Sequence, residues 1–348
     1  MHLPEWTENQ RKVFIDTEQV YEAWREADRR ARTYRGGMHW KTAKERQYLF
    51  RTRDRRGYGR SLGPRSPETE RILADFRRNK TEAKTRLDHL RTRLAEQARF
   101  CKAARLDRAP RLVTAILRLL DGDGLLGRNL LVIGTHALHA YEAAAGVFFE
   151  GPILATGDMD LLWDVRPRLK LAGPEREADE GLMGILRKAD RSFESLGAGH
   201  FRAVNRDGFM VDLVKAEPRK IHRKEPRRMG AAGDLEAAEA PNLQWLLASP
   251  KLSQTIIGGD GFPARMVAPD PRAFALHKIW LGEQPSREPI KRRRDREQGI
   301  AAAALTLRHL PDRPFRADAL RMLPRAVVEA AGRDAFADEL PPGFGGDG

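Results

Sequence analysis

The sequence predicts a mixed α+β or α/β fold, in which a small mixed sheet in the middle of the chain is flanked by N-terminal and C-terminal helical regions. Three observations predict it. Apolar residues recur at helical intervals through long charged stretches near both ends. After Pro110, short β-rich apolar runs alternate with helical runs. An Asp207-Gly208 turn joins two of those runs into a hairpin.

Taken in order, residues 8–34 and 66–106 are rich in Glu, Arg, Lys, Ala and Leu, and Leu73, Phe76, Leu87, Leu90 and Leu94 fall at helical spacing. Both stretches read as long amphipathic helices. Residues 35–67 between them mix glycine, aromatics and arginine, and read as a loop or short hairpin. Tyr48, Phe50 and Tyr58 could stack bases there while guanidinium groups hold phosphates, or could simply pack against arginine stems. RLVTAILRLL at 111–120 predicts a helix. DGDG at 121–124 predicts a turn rather than a calcium loop, because the later ligands and the bidentate Glu are missing. NLLVIG at 129–134 predicts a strand, and THALHAYEAAAG a helix with Thr135 as N-cap.

Further on, DMDLLWDV at 158–165 predicts a strand and residues 179–196 a helix. HFRAVN at 200–205 and FMVDLV at 209–214 form the hairpin. A helix at 241–248, a second hairpin at 253–268 and helices at 271–283, 290–308 and 316–332 complete the list. The expected domains are 1–110, a basic helical region; 111–248, the sheet domain; 249–335, a C-terminal hairpin and helical domain; and 336–348, a disordered tail.

Of the 348 residues, 41% are hydrophobic and 32% charged, enough apolar material for a sizeable core. No run approaches the roughly 18–20 apolar residues of a membrane span. The start, MHLPEWTENQRK, lacks a basic segment followed by an apolar one, so a cytoplasmic location is expected. A single cysteine, Cys101, excludes an intrachain disulfide and a cysteine-rich zinc site. The net charge of +14 is concentrated in residues 1–110, which hold 28 Lys and Arg against 16 Asp and Glu. Such an arm suits a polyanionic partner such as nucleic acid, or is a solvated helical surface.

The chemistry concentrates in two strands. In DMDLLWDV, Met159, Leu161, Trp163 and Val165 share one face, leaving Asp158, Asp160 and Asp164 on or beside the other. Two carboxylates so close at the start of a core strand repel each other unless a cation or water faces them. In FMVDLV, Asp212 projects from an apolar strand and needs a partner. Asp158, Asp160 and Asp212 together suit two Mg²⁺ or Mn²⁺ ions for displacement at phosphorus, because hard oxygen donors without a Cys/His set disfavour zinc. Asp164 reads as a solvent-facing or capping acid. Gly134-Thr135 joins a strand end to a helix N-terminus, where backbone N–H groups can hold a triphosphate. His136, His139 and Glu142 recur every three residues and read as a polar helix face rather than a zinc motif, whose histidines stand four apart. Lys188, Arg191 and Ser192 either face phosphate or coat an exposed helix side. The basic stretch LVKAEPRKIHRKEPRRMG either guides an anionic substrate or is plain solvated loop.

IGTHAL, TGDMDLLWD and MVDLV, in that order, resemble the nucleotidyltransferase superfamily of DNA polymerase β type. Over most of the chain, GMHWKTAKERQYLFR, RSPETERIL, VIGTHALHAYEAAAGV, ATGDMDLLWD and VNRDGFMVDLVK are similar to a bacterial family of nucleotidyltransferase-fold proteins. The resemblance implies a polymerase β-like nucleotidyltransferase domain, with Gly134 and Thr135 on phosphate and Asp158, Asp160 and Asp212 on metal. Asp212 would also activate the attacking hydroxyl. Thr135 stands where Ser is usual, and 22 residues, more than the usual dozen or so, separate it from Asp158. FALHKIWLGEQ and KRRRDREQ resemble helical elements of toxin-type nucleotidyltransferases, with Gln298 in place of their second Asp. By that likeness Lys278 and Arg294 reach the nucleotide phosphates and Asp295 orients one of them. The expected activity is transfer of NMP from an NTP, ATP by expectation, to a hydroxyl of an RNA end or a protein side chain, with a toxin-antitoxin-like role. The alternative is a catalytically silent nucleotide- or nucleic-acid-binding module of the same fold.

Overall fold

The computed structural model describes residues 2–52, 58–167, 175–218, 225–316, 320–325 and 327–328. They divide into two compact units, Lys12–Leu106 and Met1–Arg11 with Asp107–Gly348.

In the Lys12–Leu106 unit, helix α1 (Glu8–Thr33) buries Phe14, Thr17, Tyr21 and Ala27 on one face. The strand-rich segment that follows forms an antiparallel sheet, β1 (Gly37–Ala43), β2 (Arg46–Thr52) and β3 (Gly59–Pro64), in that spatial order. This segment was expected as a loop or short hairpin. Its first turn is Lys44-Glu45, both in the left-handed region at φ 47° and 61°. That geometry is normally supplied by Asn-Gly, so no turn signature marked it. Helix α2 (Pro67–Ala103) starts on a reciprocal cap, the Thr69 N–H donating to Ser66 Oγ and the Ser66 N–H to Thr69 Oγ1. Leu73, Phe76, Ala83, Leu87, Leu94, Ala98 and Cys101 line its buried face. Thr17 meets Gln97 at 3.2 Å while Arg30 lies 3.8 Å from Glu82, so α1 and α2 run antiparallel.

The second unit is built around α3 (Arg111–Gly122), whose Val113, Ile116, Leu117 and Leu120 recur at helical spacing and are fully buried. Each such side chain contributes about 1.5–3 kcal/mol of burial. After β4 (Leu130–Ile133) come a 3₁₀ turn (Thr135–Ala137), α4 (Leu138–Ala145), α5 (Gly151–Leu154) and β5 (Asp158–Trp163). Helix α6 (Glu175–Ala189) ends earlier than expected. There the Asp190 carboxylate accepts from the Ser192 N–H and hydroxyl and from Asn205, closing a turn. Strands β6 (Glu194–Ser195), β7 (Arg202–Val204), β8 (Met210–Ala216) and β9 (Ala238–Ala240) follow.

The sheet runs β4-β5-β8-β7-β6, with β9 alongside the second half of β8. β5 and β8 are parallel, whereas β4–β5 and β7–β8 are antiparallel. Helix α7 (Leu243–Ala248), the hairpin β10 (Lys251–Ile257) and β11 (Pro263–Pro269), and helices α8 (Pro271–Glu283) and α9 (Pro289–His309) complete the unit. The stretch expected as a C-terminal hairpin and helical domain, 249–335, falls in the same compact unit as the sheet. Met266, Ala268, Phe274, Leu276 and Leu305 share one continuous core with Leu131, Leu161 and Leu213. Of the helix expected at 316–332, residues 317–319, 326 and 329–332 lie outside the described residues, as do the 336–348 tail and 219–224 of the basic loop.

Candidate functional site

Register brings two of the three expected acids together. Asp160 on β5 stands directly opposite Asp212 on β8, and Asp158 opposite Met210. Burial, with Asp158 and Asp212 adding to it, pushes the Asp160 carboxyl up to about 6, against the pull of Lys278 and Arg287. Three acids thus crowd the neighbouring interior strands β5 and β8. Thr156 Oγ1 donates a short hydrogen bond to Asp158 Oδ1.

Asp212 has a partner that the sequence reading missed. Arg202, opposite it across the β7–β8 hairpin, donates from Nε to Oδ1 and from Nη2 to Oδ2, both at 2.6 Å. A turn centred on Asp207 makes residues 202 and 212 cross-strand neighbours on one face, so the signal was present in the hairpin arithmetic. Bidentate pairing neutralises the buried carboxylate. Asp164, expected to face solvent or cap, is buried and clamped by Arg166 Nε and Nη2 at 2.8 Å each, beyond the end of β5.

Gly134 follows β4 at φ 66°, and a β-carbon there would stand 2.0 Å from Asp160 Oδ2. The residue is glycine for both reasons: the backbone is left-handed and the carboxylate lies against it. Thr135 is not a side-chain cap, since Gly134 takes the N-cap position of the 3₁₀ turn without a side-chain bond. Instead the Thr135 hydroxyl accepts from Arg294 Nη2 at 2.7 Å and from Gln298 Nε2 at 3.0 Å.

Those donors arrive on α9, which packs closely on α8 because Gly299 faces Ala275 and Ile279; a β-carbon there would meet the Ala275 carbonyl at 2.9 Å. The close approach also sets Lys278 Nζ 2.5 Å from Asp295 Oδ1, with Arg287 Nε 2.8 Å from Oδ2. Burial opposes ionisation of Asp295, but Lys278 and Arg287 outweigh it and hold its carboxyl below the usual range. Lys278 and Arg287 line a 610 Å³ cavity together with Gly134 and Asp160, and Leu243, Leu246 and Trp280 form its apolar wall. Arg287 was not singled out from sequence; it lies outside the helical motifs, in the α8–α9 connection.

Other expected residues do not converge. Lys188 is exposed on α6 and is not among the cavity's lining residues, and the Ser192 hydroxyl is spent on Asp190. His136, His139 and Glu142, expected as a polar helix face, are all buried. Glu142 accepts from Arg108 and from the Phe149 N–H. Burial, with His139 adding to it, lowers His136 to about 3, so its ring is neutral near pH 7. No ring-nitrogen partner is present among the described residues.

A divalent cation can be tested against these donors. Among the described residues no three His, Cys, Asp or Glu side chains stand as a ready ligand cluster. Asp212 already shares its charge with Arg202. Asp158 and Asp160 remain; burial first and the neighbouring carboxylates second raise the Asp160 carboxyl, and a hard cation would relieve the like-charge part of that cost. The pair fits such an ion. A carboxylate has about four acceptor positions, so the guanidinium leaves Asp212 capacity for further contacts.

Residues 111–323 match a protein-family model described as Nucleotidyltransferase, which covers more than half of the chain. No curated protein matches it. Among solved structures, an antigenic nucleotidyltransferase-like protein from Paracoccidioides brasiliensis is similar at 18% identity, over 61% of this chain and 93% of that one. The TM-score is 0.28, too loose a superposition to carry an argument about this chain.

Proposed function

This chain belongs to the nucleotidyltransferase family, and from that membership we propose that it transfers a nucleoside monophosphate from an NTP to an acceptor hydroxyl, releasing pyrophosphate. The observation that carries the reading is the in-register pair Asp160 and Asp212, with Asp158 two residues from Asp160 on the same strand, where Asp160 lines a cavity that also presents Lys278 and Arg287. Lys278 and Arg287 bring positive charge to an anionic tail, and Gly134 lines the same cavity at the β4 end. The apolar wall of Leu243, Leu246 and Trp280 suits the nucleoside. Asp158 and Asp160 would hold Mg²⁺ or Mn²⁺, whose chemistry is to neutralise charge on the transferring phosphoryl group. Asp212 takes the proton of the attacking hydroxyl, oriented for that task by Arg202.

A second reading, a nucleotide-binding module without turnover, draws on the same Arg202–Asp212 pair, because a carboxylate held through both oxygens by a guanidinium has fewer acceptor positions left for a metal or a hydroxyl. Incubation with each α-labelled NTP, total RNA and total protein, with Mg²⁺ or Mn²⁺, separates the two. Label in RNA or protein that disappears in the Asp158→Ala/Asp160→Ala double variant supports transfer and names the acceptor class. Nucleotide binding without any label supports the silent module.

A further inference from the structure

The Lys12–Leu106 unit carries a surface that nucleotide transfer leaves unused. Its helices dilute their charge: α1 holds six Lys and Arg against six Asp and Glu, and α2 ten against six spread over 37 residues. Pairs such as Lys12–Asp16, Arg29–Glu26 and Arg78–Asp75 close within one turn. The sheet is different. Residues 35–52 and 58–64 hold six cations, Arg35, Lys41, Lys44, Arg46, Arg51 and Arg60, against one acid, Glu45. No carboxylate pairs with Lys41, Lys44, Arg46 or Arg60 among the described residues. The excess positive charge of the arm is therefore densest on β1–β3, which decides where a polyanion would touch.

Cross-strand register sorts the side chains of that sheet. His39 stands opposite Phe50 and Phe50 opposite Ser61, while Lys41 stands opposite Tyr48 and Ala43 opposite Arg46. Residues opposite one another share a face, so these form one surface. The other face carries Trp40 and Leu49, and the latter is completely buried. On the outward face Lys41 Nζ lies 5.1 Å from the Phe50 ring centroid and the His39 ring 6.1 Å from it. His39, Lys41 and Arg46 are exposed, and Tyr48 and Phe50 half-buried.

The geometry points to this outward face as a platform for single-stranded RNA. Unpaired bases stack on Phe50 and Tyr48, and Lys41 and Arg46 meet the phosphates. His39 and Ser61 flank Phe50 with groups able to hydrogen-bond a ribose hydroxyl, which favours RNA over DNA. A duplex, with its bases stacked inside, offers these rings nothing. The platform is independent of whether the other unit transfers nucleotides.

Fluorescence anisotropy of the full chain with a labelled oligouridine RNA of roughly 12 nucleotides tests it. Binding tighter than to duplex RNA or to the DNA oligomer of the same length is expected. Phe50→Ala weakens it about 5- to 100-fold with the salt slope unchanged, and Phe50→Trp restores it. Lys41→Glu with Arg46→Glu lowers the slope of log K against log salt by roughly 1.4, about 0.7 for each cation. If Phe50→Ala loses its circular-dichroism signature, the exposed charge variants decide alone. No binding at low salt, or a slope unmoved by the charge variants, overturns the platform. Equal affinity for DNA overturns the assignment to RNA, and equal affinity for duplex overturns stacking.

Discussion

Replacing Asp160 by asparagine should stabilise this protein at neutral pH when divalent cations are chelated. Burial, reinforced by Asp158 and Asp212, raises the Asp160 carboxyl from an ordinary 3.8 to about 6. A carboxyl raised on folding binds its proton more tightly in the native chain than in the unfolded one. Native stability therefore falls as pH rises from about 4 to about 6, and the full penalty is present above that window. At about 1.36 kcal/mol per pH unit the penalty approaches 3 kcal/mol, and contact with solvent reduces it to about 2 kcal/mol. Asparagine is nearly isosteric with the protonated acid, so wild type and Asp160→Asn should match near pH 4 and diverge by about 2 kcal/mol near pH 7.5. Urea unfolding of both proteins in chelator at the two pH values reads the difference directly. A gap that is the same at both pH values, or a variant less stable than wild type near pH 7.5, would refute the reasoning. Added Mg²⁺ should narrow the gap at the higher pH by stabilising only the wild type.

Four further outcomes are expected. Gly134→Ala, which forces a β-carbon into left-handed backbone against Asp160, should cost about 2–3 kcal/mol in the same urea experiment. Lys278→Met leaves Asp295 with Arg287 alone and should cost about 2–3 kcal/mol, with much of the loss recovered in Lys278→Met/Asp295→Asn; no recovery would mean the pair is uncoupled. Thr135→Val removes the hydroxyl that accepts from Arg294 and Gln298 and should cost about 1–2 kcal/mol, measured by thermal unfolding, whereas Lys188→Ala, exposed on α6, should leave both stability and nucleotide affinity within error.

What the amino-acid sequence by itself determined here is local: element types, most boundaries to within a few residues, and the motif order. The periodicity of RLVTAILRLL makes α3, the Asp207-Gly208 turn makes the β7–β8 hairpin, and alternation in DMDLLWD and FMVDLV sets which carboxylates leave the core face. These follow from backbone period and turn chemistry acting over a few residues. The sheet at 37–64 escaped because its Lys44-Glu45 turn carries no glycine or asparagine. What only the tertiary structure decided is which charges meet. Arg294 and Gln298 reach Thr135 from 159 and 163 residues away, Arg287 joins Lys278 on Asp295, and Asp160 comes level with Asp212 through a parallel pairing. Side chains so distant in sequence share no periodic pattern. Their meeting depends on strand register and on the close packing of α8 and α9 across Gly299, which the summed burial of a whole core selects.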